Sequence, residues 1–165
     1  MKKVVLIIGL LFTGALTMNA QEISKNALGL RFGDNGGLGG EISYQKALGD
    51  NNRLEVDLGL RNNTGASSFK GTGIYQWVWK LENKFNWYAG VGAGVGSWKV
   101  KDQTVGGVTV KGSSDVFFYG AGNIGIEYNF DTPILLSLDY RPEFGFSNVY
   151  DGFNSDIALS VRYQF

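Results

Sequence analysis

Apolar and polar residues alternate along most of this chain with a period of two, the spacing that predicts β-strands. The pattern is clearest at the C-terminus. From Ile157 to Phe165 every odd position is apolar or aromatic, and from Asp156 to Gln164 every even position is small or polar. Such a strand has one apolar face and one polar face.

Seven further segments show the same alternation, separated by turn signals in which glycine is frequent and proline is rare. They are Leu28–Gly33, Leu38–Gln45, Arg53–Arg61, Tyr75–Leu81, Trp87–Gly96, Phe118–Phe130 and Ile134–Glu143. Setting aside residues 1–20 leaves 145 of 165 residues, enough for eight strands at about 18 residues per strand and connection. We predict an all-β fold, an eight-stranded antiparallel up-and-down transmembrane β-barrel in one domain, residues 21–165.

Residues 1–20 have the parts of a secretory signal peptide. Lys2-Lys3 supplies the positive start, Val4–Leu16 is apolar, and Ala20 is the small residue before the cut. A single membrane-anchoring helix is the alternative, but the apolar run is short for a span and a polar break follows it. Export is therefore predicted, and the absence of cysteine excludes a lipoprotein anchor and any disulfide.

The register in which the fifth and sixth segments pair can be predicted, because pairing must place like faces together. Gly106-Gly107 is the turn signal of a two-residue hairpin loop. In the resulting register large inward-facing residues lie opposite glycines, which fills a narrow lumen without clashes. The expected pairs include Val105 with Val108, Val95 with Phe118, and Gly94 with Tyr119.

The first hairpin is predicted to have a three-residue loop, Asp34–Gly36. A two-residue loop would mix the two faces of the strands, whereas three residues keep them apart. The loop pairs Phe32 with Leu38 and Leu30 with Gly40.

The charged face decides what the barrel encloses. A secreted lipocalin-like barrel shows the same alternation with its apolar face inward, so alternation alone leaves both orientations open. The glycines between Gly90 and Gly96 share the charged face, which suits a filled lumen better than a soluble exterior. We expect lipid outside and a paired charge network inside. Its predicted members are Arg31, Glu41, Arg53, Glu55, Asp57, Arg61, Glu127, Asp139, Arg141 and Arg162.

Aromatic residues on the apolar face cluster near the strand ends, with aliphatic residues between them. Amphipathic rings suit the interface between membrane and water, so we predict an aromatic girdle there. On the side of the C-terminus its members are Tyr44, Trp79, Trp87, Tyr128 and Tyr163.

With these features the chain resembles the small eight-stranded outer-membrane proteins of the OmpA/OmpX type, from about residue 25 to its last residue. The resemblance implies an outer-membrane location, surroundings of membrane lipid and lipopolysaccharide, and both termini in the periplasm. The terminal Phe165 would mark the last strand for the outer-membrane assembly machinery. The implied periplasmic turns are near Leu48–Asn52, Glu82–Asn86 and Asp131–Pro133, and the implied outer loops near Asn62–Lys70, Val100–Ser114 and Gly145–Asn154.

The last outer loop holds three candidate surface contacts, Phe146, Tyr150 and Phe153. Exposed aromatic residues there would meet lipopolysaccharide, a host surface or an apolar solute. The alternative is that Phe144 and Phe146 continue the lipid-facing row of the seventh strand.

Little in the chain indicates catalysis. Histidine is absent, so the usual general base of hydrolytic and acyl-transferring sites is missing. Glu55 and Asp57 share one strand face, as catalytic carboxylates would, but partners for the lumen arginines are the simpler explanation. No catalytic residue, cofactor or metal site is predicted. The charge after residue 20, 13 basic minus 15 acidic residues, argues against nucleic acid as a partner.

The leading hypothesis is a monomeric, non-enzymatic outer-membrane barrel that anchors surface loops for an adhesion or envelope role. A narrow porin-like barrel, or one that conducts hydrophobic solutes, is the first alternative. A secreted, soluble lipocalin-like binding barrel is the second.

Overall fold

A computed structural model describes residues 23–33, 39–62, 66–100, 103–105, 108–110, 112–147 and 150–165. The predicted signal peptide lies outside the described residues, as do the turn residues 34–38 and 106–107. In the described part, eight strands form a barrel and two short strands form a separate hairpin. The barrel strands are β1 (Asn26–Gly33), β2 (Gly39–Ala47), β3 (Asn52–Asn62), β4 (Ala66–Glu82), β5 (Phe85–Val100), β8 (Ser114–Asn129), β9 (Ile134–Ser147) and β10 (Tyr150–Gln164), and the hairpin strands are β6 (Gln103–Val105) and β7 (Val108–Val110).

The eight strands close into one antiparallel up-and-down barrel, which confirms the predicted fold class. Consecutive barrel strands are neighbours, and β1 pairs with β10 to close the sheet. Following paired residues once around the barrel from Gln164 leads to Asn154 on the same strand, a stagger of ten residues (164 − 154). For eight strands this stagger corresponds to a tilt of about 40°, at which side chains fill the interior.

The predicted register between β5 and β8 is confirmed. Val95 lies opposite Phe118, and Gly94 lies opposite Tyr119. A β-carbon added at Gly94 would overlap the ring of Tyr119. The glycine therefore leaves the space that the inward-facing tyrosine occupies.

The predicted register of the first hairpin is wrong by two residues. Phe32 lies opposite Gly40 rather than Leu38, and Arg31 lies opposite Glu41. Both registers keep like faces together, because they differ by an even number of residues. Only the observed one places Arg31 directly across from Glu41, with which it forms an ion pair of 2.9 Å. Interior charge pairing favours the observed register. A rule based on turn length alone contains no information about charge pairing.

One end of the barrel, which we call the short-turn end, carries the connections after Ala47, Glu82 and Asn129, as predicted. The start of β1 and the end of β10 also meet at the short-turn end. Asn26 and Phe165 exchange two backbone hydrogen bonds, of 3.0 and 2.9 Å. The β1–β10 seam is therefore closed by backbone pairing as far as the last residue of the chain.

At the opposite end, which we call the outer end, two of the predicted loops are shorter than expected. β4 begins at Ala66, inside the predicted loop Asn62–Lys70, and β10 begins at Tyr150, inside the predicted loop Gly145–Asn154. The third predicted loop, Val100–Ser114, contains the β6–β7 hairpin. Strand pairing extends further than the sequence indicates, because ladder hydrogen bonds satisfy backbone groups that a loop leaves to water.

Burial is reversed relative to a water-soluble barrel. Arg53 and Glu55 are buried in the lumen, whereas Leu58, Val91 and Val161 face outward and are 46%, 59% and 42% exposed. Side chains alternate across a strand, so each barrel strand turns one set of residues inward, where the buried charged residues lie, and the other set outward, where most of its large apolar residues lie. Among the described residues, no helix has the length and apolar character needed to cross a membrane.

Barrel closure can be tested with engineered cysteines, since the chain has none of its own. Leu30 and Val161 lie opposite each other on the outward face of the β1–β10 seam. Paired antiparallel residues have Cα atoms about 4.5 to 5.5 Å apart, a separation that a disulfide spans. We expect Leu30→Cys with Val161→Cys to cross-link under mild oxidation, seen as a mobility shift of the unfolded chain on a non-reducing gel.

The control pairs Leu30→Cys with Ile157→Cys, which lies four residues along β10 from the partner of Leu30. It is expected to remain uncross-linked. Cross-linking of the control pair, or none of the matched pair, would contradict the observed register.

Candidate functional site: the charged lumen

The described part of the lumen contains four buried arginines, each bridging strands that are distant in sequence. Arg31 on β1 is the first. Its Nη1 lies 2.9 Å from Glu41 Oε2 and 2.6 Å from Asp156 Oδ2, and its Nη2 lies 2.7 Å from Asp139 Oδ1. One guanidinium therefore ties β1 to β2, β9 and β10, the strands on both sides of the closing seam.

Arg141 on β9 contacts the opposite wall of the lumen. Its Nη2 donates to Asp57 Oδ2 at 2.5 Å and to Glu55 Oε1 at 3.2 Å, and its Nη1 donates to Glu41 Oε2 at 3.4 Å. Glu41 is shared with Arg31, so the two arginine clusters are continuous. Glu55 and Asp57 are both bound by Arg141, which leaves them poorly suited to act as a pair of catalytic carboxylates.

Arg162 on β10 links the same network to β2 and β3. Its Nη2 donates to Glu55 Oε2 at 3.1 Å, and its other nitrogens donate to Ser43 Oγ at 3.0 Å and Ser137 Oγ at 2.7 Å. A planar guanidinium can donate in several directions at once, which is why arginine suits a point where several strands converge.

Arg53 on β3 holds the strands furthest from the seam. Its Nη2 lies 2.7 Å from Glu127 Oε2, and its Nε donates to Gln76 Oε1 at 2.6 Å. The guanidinium also lies 4.8 Å from the centre of the Tyr88 ring, within the range of a cation–π contact. A cavity of about 10 Å³ beside it, lined in part by Asn86 and Glu127, has room for about one water molecule.

The outer part of the lumen is closed by aromatic residues around one lysine. Lys70 Nζ lies 2.7 Å from both carboxylate oxygens of Glu143 and 4.8 Å from the centre of the Tyr119 ring. Tyr150 donates to Glu143 Oε2 at 2.5 Å and stacks on Phe117 with ring centres 4.8 Å apart. The lumen therefore has an ionic part towards the short-turn end and an aromatic part at the outer end.

This arrangement pairs each of the buried arginines with nearby acceptors. Removing an ion from water costs several kcal/mol, and only close pairing with additional hydrogen bonds offsets the cost. The arginines described above each meet two or three acceptors on different strands. The lumen side chains thus cross-link the barrel wall from inside.

Nine of the ten predicted network residues lie together in this lumen: Arg31, Glu41, Arg53, Glu55, Asp57, Glu127, Asp139, Arg141 and Arg162. The side chain of the tenth, Arg61, lies outside the described part. Lys70 was missed because it was assigned to a loop. The sequence did contain a signal for its inward position, since Lys70 has the same parity as the inward-facing Thr72 and Ile74.

The girdle aromatics lie on the outer surface near the short-turn end. Trp79 and Trp87 stack with ring centres 4.3 Å apart. The Tyr44 hydroxyl donates to Asn26 Oδ1 at 2.7 Å, so its polar end points toward the rim. The predicted girdle residues are Tyr44, Trp79, Trp87, Tyr128 and Tyr163, each on the same face as the exposed aliphatic residues of its strand.

The three candidate surface contacts are strand residues rather than loop residues. Phe146 on β9 and Phe153 on β10 face outward, 74% and 58% exposed, and Phe153 packs against Phe144 at 5.2 Å between ring centres. Tyr150 faces inward, against Phe117 and Glu143. Strand parity separates the three residues, and the assumption of a loop concealed that parity.

At the short-turn end an exposed ion pair joins two neighbouring turns. Lys84 in the β4–β5 turn donates to Asp131 in the β8–β9 turn. The hydrogen bond raises the pKa of the Lys84 ammonium above its ordinary value. Both side chains contact water, so this pair contrasts with the buried pairs of the lumen.

Comparison with solved structures identifies the fold. Neisserial surface protein A is similar with a TM-score of 0.61 and 14% identity, over 85% of this chain and 94% of that one. The N-terminal β-barrel domain of Pseudomonas aeruginosa OprF gives 0.66 and 10%, over 86% and 98%. Ail, the attachment invasion locus protein of Yersinia pestis, gives 0.56 and 15%, over 88% and 99%.

No family model and no curated protein matches the sequence. A designed transmembrane β-barrel matches with a TM-score of 0.54 and 14% identity, over 89% of this chain and all of that one. At these identities the likeness concerns the fold alone. The chain has the fold of the small eight-stranded outer-membrane β-barrels.

The arginine network predicts a large loss of stability when one cation is removed. Arg31→Leu leaves Glu41, Asp139 and Asp156 without the partner that they share. We expect the free energy of unfolding to fall by about 3 to 5 kcal/mol, the usual effect of breaking a buried ion pair. Urea unfolding of the detergent-folded protein, followed by tryptophan fluorescence, measures it.

Lys84→Met is the matched control, because it removes the same charge from an exposed pair. We expect little change in the unfolding midpoint, since water solvates the freed Asp131 carboxylate. Equal effects of the two substitutions would contradict a stabilising role of the lumen network.

Proposed function

We propose that this protein is an integral outer-membrane barrel without enzymatic activity, which anchors and displays its outer strands and hairpin at the cell surface. The observation that carries the proposal is the inverted burial. Arg31, Arg141 and Arg162 are 0% exposed in the lumen, whereas large apolar side chains such as Leu60 and Phe146 are about three-quarters exposed.

Lipid explains this surface better than water does. Soluble monomers rarely expose contiguous apolar patches of more than a few hundred Å². Here the outward apolar rows run side by side around the barrel, and a membrane interior is the solvent that such a surface fits. A closed sheet also suits a membrane, because a closed sheet has no unpaired strand edge and a bilayer offers no hydrogen-bond partner for one. The soluble lipocalin-like alternative is disfavoured for the same reason.

The remaining details of location follow from the sequence and the fold together. Residues 1–20 have the composition of an export signal, and the barrel ends in the aromatic Phe165. We propose that the short-turn end and both termini face the periplasm, and that the assembly machinery recognises the C-terminal strand. Membrane lipid and lipopolysaccharide are then its immediate surroundings, and a monomer is sufficient because the lumen is filled from one chain.

A non-enzymatic role is supported by the state of the lumen acids. Glu55 and Asp57, the residues best placed for acid–base work, are bound by Arg141. The chain has no histidine to act as a base in their place. The same filled lumen disfavours a narrow pore, because conduction would require several buried ion pairs to separate.

Display at the surface is supported by the outer end of the barrel. β4, β5 and β8 are the longest described strands, with 17, 16 and 16 residues, and β5 and β8 lead into the β6–β7 hairpin. Ail, a structural neighbour, is named for attachment and invasion, and one of its structures contains the heparin analogue sucrose octasulfate. Those properties belong to Ail, and for this chain they support an adhesion or envelope role only as a proposal.

Membrane insertion predicts a specific behaviour during extraction. We expect the protein to sediment with outer membranes, to resist carbonate extraction, and to enter solution with detergent. A detergent-folded sample is expected to migrate differently on gels before and after heating, because the closed sheet resists detergent until it is heated. Release as a detergent-independent soluble monomer would contradict the proposal.

The assembly role of the C-terminal aromatic can be separated from stability. The backbone of Phe165, not its ring, makes the hydrogen bonds to Asn26. We therefore expect Phe165→Ser to lower accumulation in the outer membrane while refolding in detergent remains unchanged. Phe130→Ser removes another exposed aromatic residue at the same end and is the control, expected to accumulate normally. Equal accumulation of the two variants would count against a C-terminal signal.

A further inference from the structure

The central lumen contains more buried acids than arginines. In the described lumen Arg53 pairs with Glu127 and Lys70 pairs with Glu143, one cation with one acid in each case. The other three arginines form ion pairs with five acids. The arginines are Arg31, Arg141 and Arg162, and the acids are Glu41, Glu55, Asp57, Asp139 and Asp156.

An excess of acid remains under the strictest comparison. Asp156 makes a further interaction outside this group, so it is left aside. The other four acids still outnumber the three arginines by one, and their ion pairs in the described lumen all lie within the group. A surplus negative charge in a buried site is costly unless a further positive species neutralises it.

Hydrogen-bond donors identify the acid whose charge is least compensated. Glu55 and Asp139 each accept three hydrogen bonds from side-chain nitrogens, and Glu41 accepts two. Asp57 accepts one, at Oδ2, from Arg141 at 2.5 Å. Its other oxygen, Oδ1, is buried and has no hydrogen-bond partner in the described lumen. A carboxylate would leave half of its charge on an oxygen without a donor.

The neighbours of Asp57 on the adjacent strands carry no charge. Ser43 of β2 and Thr72 of β4 lie directly across from it. Arg141 is the cation that bonds to Asp57, and it is shared with Glu55 and Glu41. The charged and titratable side chains that line the lumen around Asp57 are Arg31 on β1, Glu41 on β2, Arg53 and Glu55 on β3, Lys70 on β4, Tyr88 on β5, Tyr119 and Glu127 on β8, Asp139, Arg141 and Glu143 on β9, and Asp156 and Arg162 on β10.

We propose that Asp57 holds a proton inside the folded barrel at neutral pH, so that the central lumen takes up one proton from the solvent when the barrel forms. The proton neutralises the surplus acid. It converts Oδ1 from an acceptor into a donor towards the hydroxyl oxygens of Ser43 and Thr72, while Oδ2 continues to accept from Arg141. A metal ion would neutralise the same charge, but no group of three acids in the described part is arranged to hold one.

A proton held only by the folded chain makes the stability of the barrel depend on pH. An aspartate in the unfolded chain releases its proton near pH 4, with a pKa of about 3.9. At higher pH the folded barrel then binds one proton more than the unfolded chain, so its stability falls as the pH rises. The fall continues until Asp57 itself releases the proton. The lumen thus favours the folded barrel in mildly acidic surroundings.

Two isosteric substitutions test the proposal on the detergent-folded protein by urea unfolding. Asp57→Asn replaces a neutral acid by an amide that never ionises, so we expect it to be at least as stable as the wild type at neutral pH. Between roughly pH 5 and 7 its advantage is expected to grow by about tenfold in the folding equilibrium constant per pH unit, because only the wild type takes up a proton. Equal slopes for the two proteins would overturn the proposal.

Glu55→Gln is the matched control, since Glu55 lies two residues away on the same face and is also bound by Arg141. This substitution removes the carboxylate that pairs with Arg162, so we expect a lower unfolding midpoint than that of the wild type. Destabilisation of Asp57→Asn to the same extent would mean that Asp57 is ionised, which contradicts the proposal.

Infrared spectroscopy detects the proton directly. A protonated carboxyl group has a C=O stretching band at higher frequency than a carboxylate or an amide. We expect such a band in the wild type at neutral pH, and we expect Asp57→Asn to lack it. Asp131→Asn, which changes an exposed acid, is expected to keep it. Absence of the band from the wild type, or its persistence in Asp57→Asn, would overturn the proposal. These outcomes leave membrane insertion untouched, because extraction tests that separately.

Discussion

The structure depends on the pairing of arginines inside a closed sheet. A guanidinium cannot lose its charge at accessible pH, so a buried arginine must find acceptors or destabilise the fold. Arg31 meets this requirement with carboxylates from β2, β9 and β10, which are brought together only when the barrel closes. Interior ion pairing and sheet closure are therefore mutually dependent.

The same constraint shapes the outer surface. Because the interior is occupied by charges, the apolar half of each strand must face outward, and a lipid environment makes that arrangement favourable. The ion pairs of the lumen stabilise the barrel. We propose that the protein acts through its outer strands.

Agreement between sequence and structure was best where two local signals coincided. Between β5 and β8 the glycine turn and the alternation of faces both specify one register, and Gly94 opposite Tyr119 follows from it. In the first hairpin the alternation of faces was the main local signal, and two registers that differ by two residues satisfied it equally well. Lys70 and Tyr150 were assigned to loops because turn-forming residues near them conceal the continued alternation.

The sequence by itself determined the class of the fold, the number of strands, and which side chains share a face, because these depend on a period of two that is local to each strand. Only the tertiary structure decided which acid meets which arginine and where the strands end. Those properties depend on residues distant in sequence, such as Arg31 and Asp139, and on the stagger that closure imposes on all eight strands at once.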